Sequence, residues 1–196
     1  MSGEDINSKE MQIVQAAIEV FSGKLFHKVT VDEIAYKAGV GKGTIYLYFN
    51  SKEDLFRRVL QYATELYYLN IKESTAEEKD CSSKLRKFIS LHLEMVEEQL
   101  KVIYLLIAES MAPPQVFAEE IEKARAQILF LVEDILEEGI KRGEFRVVDT
   151  TVAAKLFQGG LLSLAHDAFY PCKNLQDLAE EGEKFWDLFK GGIAVK

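Results

Sequence analysis

The sequence has few of the residues that staple, break or ligate. Its 196 residues include two cysteines, three prolines, three histidines and one tryptophan. Cys81 and Cys172 lie far apart, and neither has a cysteine or histidine at metal-ligand spacing. Both therefore read as free thiols, with no disulfide framework and no metal site expected. Two of the prolines are adjacent, Pro113 and Pro114, so long stretches remain in which a helix can run unbroken. No apolar run approaches the roughly 18–20 residues that span a bilayer, so no membrane partner is expected. The opening MSGEDINSKE is polar and acidic, unlike a secretory signal, and a cytoplasmic location is expected. No segment of any length alternates with strand period, and there is no internal repeat. Neither E-x-x-H nor H-E-x-x-H occurs around His27, His92 or His166, and no Ser or Cys sits in a nucleophile setting. No catalytic residue, cofactor or enzyme activity is expected.

What remains is ordinary for a globular chain: 48% hydrophobic and 29% charged residues, with a net charge of −8. An acidic protein is at first sight a poor partner for nucleic acid, but the charge is segregated. From Lys24 to Arg58 seven Lys or Arg face four Asp or Glu, whereas from Gln61 onward sixteen basic residues face twenty-four acidic ones. A short basic module on an acidic body fits a protein that meets DNA with one end.

The first sixty residues read as short helices with tight punctuation. Met11, Val14, Ile18 and Phe21 form an apolar stripe that Gly23 ends. T-V-D-E from Thr30 is a capping box for a helix through Ile34, Ala35 and Ala38. Gly39 stops that helix, because a left-handed turn costs glycine nothing. The chain restarts at Lys42 and runs to Phe49, and Asn50 and Ser51 then cap a longer helix. Two helices joined by a short glycine turn make a helix-turn-helix. Further on, helices are expected from about Asp54 to Ile71, Lys84 to Gln99, Gln115 to Lys141 and Val152 to Phe169, with a last one from Asn174. The stretch KESTAEEKDCSS reads as a loop, the apolar segment Val102 to Met111 as buried, and Asp149 as an N-cap.

The stretch AGVGKGTIYLYFNSKEDL, with T-V-D-E-I-A before it, resembles the helix-turn-helix signature of the tetracycline-repressor (TetR) family. The likeness is strong over about residues 8 to 60; beyond them only the general layout matches. GVGKGT is not a Walker loop, since Tyr36 and Gly43 stand where Gly and Ser or Thr are needed. The resemblance implies an all-α fold, with a three-helix helix-turn-helix domain at 1–53 and a larger effector-binding and dimerisation domain at 54–196. It implies a homodimeric repressor on a palindromic double-stranded DNA operator, released by a small-molecule effector. Lys42 and Gly43 would face base edges, and Thr30, Thr44, Tyr46, Tyr48 and Lys52 would meet phosphates, Tyr46 sometimes a base. Two positions depart from the family pattern. Gly41 stands where many relatives carry an N-capping residue, and Asp32 where some carry a base-reading cation.

In the body, the resemblance implies a pocket among the middle helices. Tyr62, Leu66, Phe88, His92, Met95, Tyr104, Met111, Phe117, Phe130 and His166 are the candidate lining, an aromatic and Met-rich set that suits an apolar or aromatic ligand. The last two helices would pair with a second copy through Val152, Leu156, Phe157, Gly160, Leu161, Leu164, Phe185 and Phe189. The competing reading is a helical protein-interaction module that has lost DNA binding, and whether control is positive or negative is open.

Overall fold

The computed structural model describes residues 3–95, 117–167 and 175–194, and the backbone alone for 3–7, 167 and 175. The described residues divide between two compact units, one within Met1–Thr64 and Lys101–Glu122, the other within Glu65–Leu100 and Lys123–Lys196. They are almost entirely α-helical. The one β feature among them is an isolated bridge between Phe145 and Ala194.

The first unit is built on α1 (Gly3–Gly23), α2 (Val31–Lys37) and α3 (Lys42–Tyr48), followed by the start of α4 (Lys52–Ala76). The apolar stripe of α1 buries Ile13, Val14, Ala17 and Phe21 against Ile34 and Ala35 of α2, Ile45 of α3, and Phe56 and Val59 of α4. A single turn of 3-10 helix, Phe26–Lys28, carries the chain from α1 to α2. The expected capping box is present: Glu33 N–H donates to Thr30 Oγ1 at 3.3 Å, and Thr30 N–H donates to Glu33 Oε2 at 3.0 Å. Lys24 and the Thr30 amide hold the Glu33 carboxyl below its ordinary range, in that order of importance. Gly39 adopts φ +64°, the left-handed turn for which a residue with a Cβ would be strained. α4 begins as expected, with Asp54 N–H donating to Ser51 Oγ at 3.1 Å.

The second unit contains α5 (Cys81–Met95), α7 (Thr150–Asp167) and α8 (Leu175–Ile193), which pack on one another, while α4 and α6 (Ala118–Lys141) run through both units. Its core includes Leu85, Phe88, Ile89, Phe157, Leu161 and Leu178. α7 and α8 approach closely at Gly160, where a Cβ would stand 2.3 Å from Phe185 Cε2. Asp149 caps α7, accepting from Val152 N–H at 2.9 Å.

Two expectations change. α4 runs to Ala76 instead of ending near Ile71, and α5 starts at Cys81, so most of the polar stretch read as a loop is helical. The physical reason is Thr75, which is buried one turn beyond Ile71 and returns its hydroxyl to the Ile71 carbonyl at 2.7 Å. Asp80 then caps α5 through Ser83, and Glu144 Oε2 accepts from the Cys81 amide at 2.8 Å. α1, whose start the apolar stripe left open, begins at Gly3. Cys81 is a buried free thiol whose pKa burial pushes up to about 11. Cys172, the Val102–Met111 segment, Gln115 and Asn174 lie outside the described residues.

Candidate nucleic-acid interface

The N-cap of α2 and the length of α3 carry six of the seven expected DNA-facing residues, and Lys52 opens α4. α3 turns Ile45 into the core and leaves Lys42, Gly43, Tyr46 and Leu47 exposed, with Thr44 and Tyr48 half-buried. Leu47 keeps 83% of its surface exposed, and sequence reasoning passed over it as a spacer between two tyrosines. The signal lay in the periodicity: with Ile45 and Phe49 facing inward, the residue between them must face out. Gly41 occupies the N-cap of α3 without any side-chain cap.

The two lysines expected at the DNA are already engaged within the chain. Lys42 Nζ donates to Asp32 Oδ2 at 2.8 Å, and this partner holds the Lys42 ammonium above its ordinary pKa. Lys52, expected at a phosphate, turns inward. Its ammonium donates to the Phe26 and Val29 carbonyls, each at 3.0 Å, and sits 4.4 Å from the centroid of the Phe26 ring. Lysine has three N–H donors, so Lys52 pins the turn that precedes Thr30 and keeps one donor in hand. Elsewhere in this unit Lys24 pairs with Glu33, Lys37 with Glu19, Arg57 with Glu120, and Arg58 with Glu10. The basic excess of the segment is thus largely held in exposed or half-exposed ion pairs. Each such pair is worth about 0–1 kcal/mol, so phosphates can displace the carboxylates at little cost.

The residues proposed for a pocket scatter. Tyr62 and Phe117 belong to the first unit, where Phe117 is fully buried against Phe56 and Phe26, with ring centroids 4.8 and 5.5 Å away. In the second unit Phe88, His92 and Met95 are buried and Leu66 is half-buried. His92 Nδ1 lies 2.6 Å from the Tyr67 hydroxyl, and burial pushes the imidazole pKa down to about 4. Phe130 and His166 lie on the surface of the single chain, Phe130 with 65% of its area exposed. Tyr104 and Met111 lie outside the described residues.

The residues expected on the pairing face divide between the inside and the outside of the subunit. Phe157 and Leu161 are buried inside the subunit, and Phe185 packs on Gly160 and on the Phe157 ring at 5.7 Å. Phe189 and Leu164 are half-buried. The apolar surface that α7 and α8 leave open consists of Val152 and Leu156, both expected on the pairing face, together with Leu162 and Leu188, which were not. Residue 156 and residue 157 stand about 100° apart on a helix, and a helix apolar on both sides does not disclose which face turns inward.

Comparison with known proteins agrees with this architecture. Residues 13–59 match the family model of the bacterial regulatory proteins, tetR family, and residues 78–166 match the tetracyclin repressor-like C-terminal domain. The fatty acid metabolism regulator protein of Bacillus subtilis (strain 168) is 30% identical over 152 residues, which are 77% of this chain and 78% of that protein. The chain belongs to the TetR family. It is a DNA-binding transcription regulator with a helix-turn-helix head and a larger helical C-terminal part. Among solved structures, the fatty acid degradation regulator FadR of Bacillus halodurans superposes with a TM-score of 0.80 at 27% identity, covering 94% of this chain and 95% of that one. FadR of Bacillus subtilis in complex with stearoyl-CoA superposes with a TM-score of 0.77 at 26% identity, covering 93% and 98%.

Proposed function

We propose that this TetR-family protein is a homodimeric repressor of a palindromic operator, released by a largely apolar ligand of the long-chain acyl thioester class. The observation that carries the reading is the exposed face of α3. There Lys42, Gly43, Tyr46 and Leu47 stand clear of a head core completed by Ile45 and Phe49. Lys42 has donors for guanine O6 and N7, and Leu47 offers the apolar surface that meets a thymine methyl group. Thr30, Thr44 and Tyr48 bring hydroxyls to phosphates, and Lys52 brings its remaining N–H. In this reading residues 1–53 bind DNA, and residues 54–196 bind effector and dimerise through Val152, Leu156, Leu162 and Leu188. A two-fold dimer places two recognition helices about 34 Å apart, one helical turn of DNA.

The ligand class is supported by the stearoyl-CoA complex of FadR from Bacillus subtilis and by the aromatic, Met-containing interior of the body. A long acyl chain suits such walls. An effector that binds the splayed dimer better than the DNA-bound one lowers operator affinity by that difference.

The test is selection of bound duplexes from a random pool by the purified protein, followed by titration of the selected complex with stearoyl-CoA, with coenzyme A and stearate as controls. A palindrome released by the thioester alone is expected. A palindrome indifferent to the thioester would overturn the ligand class and leave the operator reading standing. Recovery of no sequence, with binding lost at moderate salt, would overturn DNA reading and leave an interaction module.

A further inference from the structure

The Asp32–Lys42 pair has a chemistry that the operator reading does not use. Asp32 lies in the first turn of α2 and Lys42 in the first turn of α3, ten residues apart in sequence. Their side chains meet across the helix-turn-helix with Nζ 2.8 Å from Oδ2, and 49% and 67% of the two side chains remain exposed. Lys42 keeps two N–H donors beyond the one that Asp32 takes. Oδ1 of Asp32 accepts no hydrogen bond from a described residue. Gly43, next along the chain, would have nothing within 4 Å of a Cβ, so no protein atom crowds the approach.

The DNA-facing end of α3 therefore presents a donor and an acceptor side by side. The major-groove edge of a G·C pair presents the complement. Guanine offers two acceptors, N7 and O6, and cytosine N4–H2 donates next to O6 at about hydrogen-bond distance, roughly 2.9 Å. The protein pair and the base-pair edge thus have matched spacing and opposite polarity. An A·T pair fits less well. It separates its two acceptors by the adenine N6 donor, so the two free N–H groups of Lys42 find one acceptor each way, and the thymine methyl stands beside O4. A lone carboxylate on this face would simply repel phosphates.

Building on the operator reading, we propose that Asp32 and Lys42 bind DNA as one unit. Lys42 donates to O6 and N7 of a guanine, and Asp32 accepts from N4 of its paired cytosine. Asp32 is then a specificity-determining residue, and the ion pair seen in the free protein is the preformed reader of one G·C pair in each half-site. Its position in α2 lets the first helix of the motif contribute sequence information as well as backbone contacts.

The experiment is the random-duplex selection run in parallel with the unsubstituted protein, Asp32→Ala and Asp32→Asn, with far-UV circular dichroism as a check on the fold. The unsubstituted protein is expected to fix one G·C pair at symmetric positions in the two half-sites. Asp32→Ala is expected to lower the preference for G·C at that position about tenfold and to leave the rest of the motif intact. Asp32→Asn is expected to move the preference toward A·T, because a carboxamide pairs with adenine N6 and N7. It also serves as the test should Asp32→Ala fail to fold. An unchanged motif bound more tightly at every sequence would overturn the proposal, since Asp32 would then be only a charge opposing the phosphates. A motif without any fixed G·C pair would overturn it too. Failure of the unsubstituted protein to select any motif would instead overturn the operator reading on which it rests.

Discussion

Lowering the pH from 7.5 to 5 should weaken the body of the protein through one side chain, His92. The imidazole is buried, and its Nδ1 lies 2.6 Å from the Tyr67 hydroxyl. Burial lowers its pKa from 6.5 to about 4. In the unfolded chain the ring takes up a proton near 6.5, whereas the folded protein refuses one until the pH approaches 4. The neutral ring's contribution to stability is therefore complete above about pH 6.5 and is lost as the pH falls from there toward 4. With those two pKa values, linkage gives a loss of about 2 kcal/mol at pH 5 and almost nothing at pH 7.5. That is a large share of a typical margin of about 5–15 kcal/mol. The assay is urea unfolding followed by circular dichroism at both pH values, at fixed protein concentration because the stability of the proposed dimer would depend on it. His92→Gln is the comparison, since its amide oxygen can still accept from Tyr67 while the titration is gone. Carboxylates contribute to acid sensitivity in both proteins, so the reading is the difference between their two losses. If His92→Gln loses as much stability as the unsubstituted protein between pH 7.5 and 5, burial of the ring is not what sets the acid limit of this domain.

Leu156→Asp combined with Leu188→Asp should convert the proposed dimer to a monomer in sedimentation analysis while leaving helicity unchanged, because both side chains are largely exposed in the single subunit. Phe157→Ala, one residue away, should instead cost about 3–5 kcal/mol in unfolding, since it empties a site enclosed by the Phe88, Phe185 and Phe189 rings. Equal effects of the two changes on assembly would refute the division of α7 into an inner and an outer face. Lys52→Met should lower the thermal midpoint as well as DNA affinity, because it frees the Phe26 and Val29 carbonyls, whereas Lys42→Ala should lower affinity alone. A wild-type midpoint for Lys52→Met would refute the anchoring role.

What the sequence disclosed, and what it hid, follows from how far apart the interacting groups lie. The capping box at Thr30, the turn at Gly39 and the cap at Ser51 each close within about four residues, and each could be read from residue type and spacing. The helical continuation through Lys72–Ala76 was missed because its justification is tertiary: Thr75 is buried, and a polar composition alone looks like a loop. The two sides of α7 were not told apart for a related reason. The helix carries apolar residues around most of its circumference, so only packing against α5 and α8 decides that Phe157 and Leu161 face in and Leu156 faces out.

The recognition surface shows the same limit with a functional consequence. The family resemblance placed Lys42 at base edges and Lys52 at a phosphate, but neither residue type nor spacing shows what each lysine holds in the free protein. The structure separates them by what each already holds. Lys52 is bound to two backbone carbonyls from a turn more than twenty residues earlier, which makes it part of the scaffold that positions Thr30. Lys42 is held by an exposed carboxylate on the neighbouring helix, a partner that can travel with it to the DNA or yield to it. Because an exposed pair of this kind contributes about 0–1 kcal/mol, breaking it is cheap, and stability gives little reason for an acid at this position. An acid kept on a surface that must approach phosphates therefore calls for a partner on the DNA side, and a cytosine amino group is the hydrogen-bond donor that the major groove places next to a guanine acceptor.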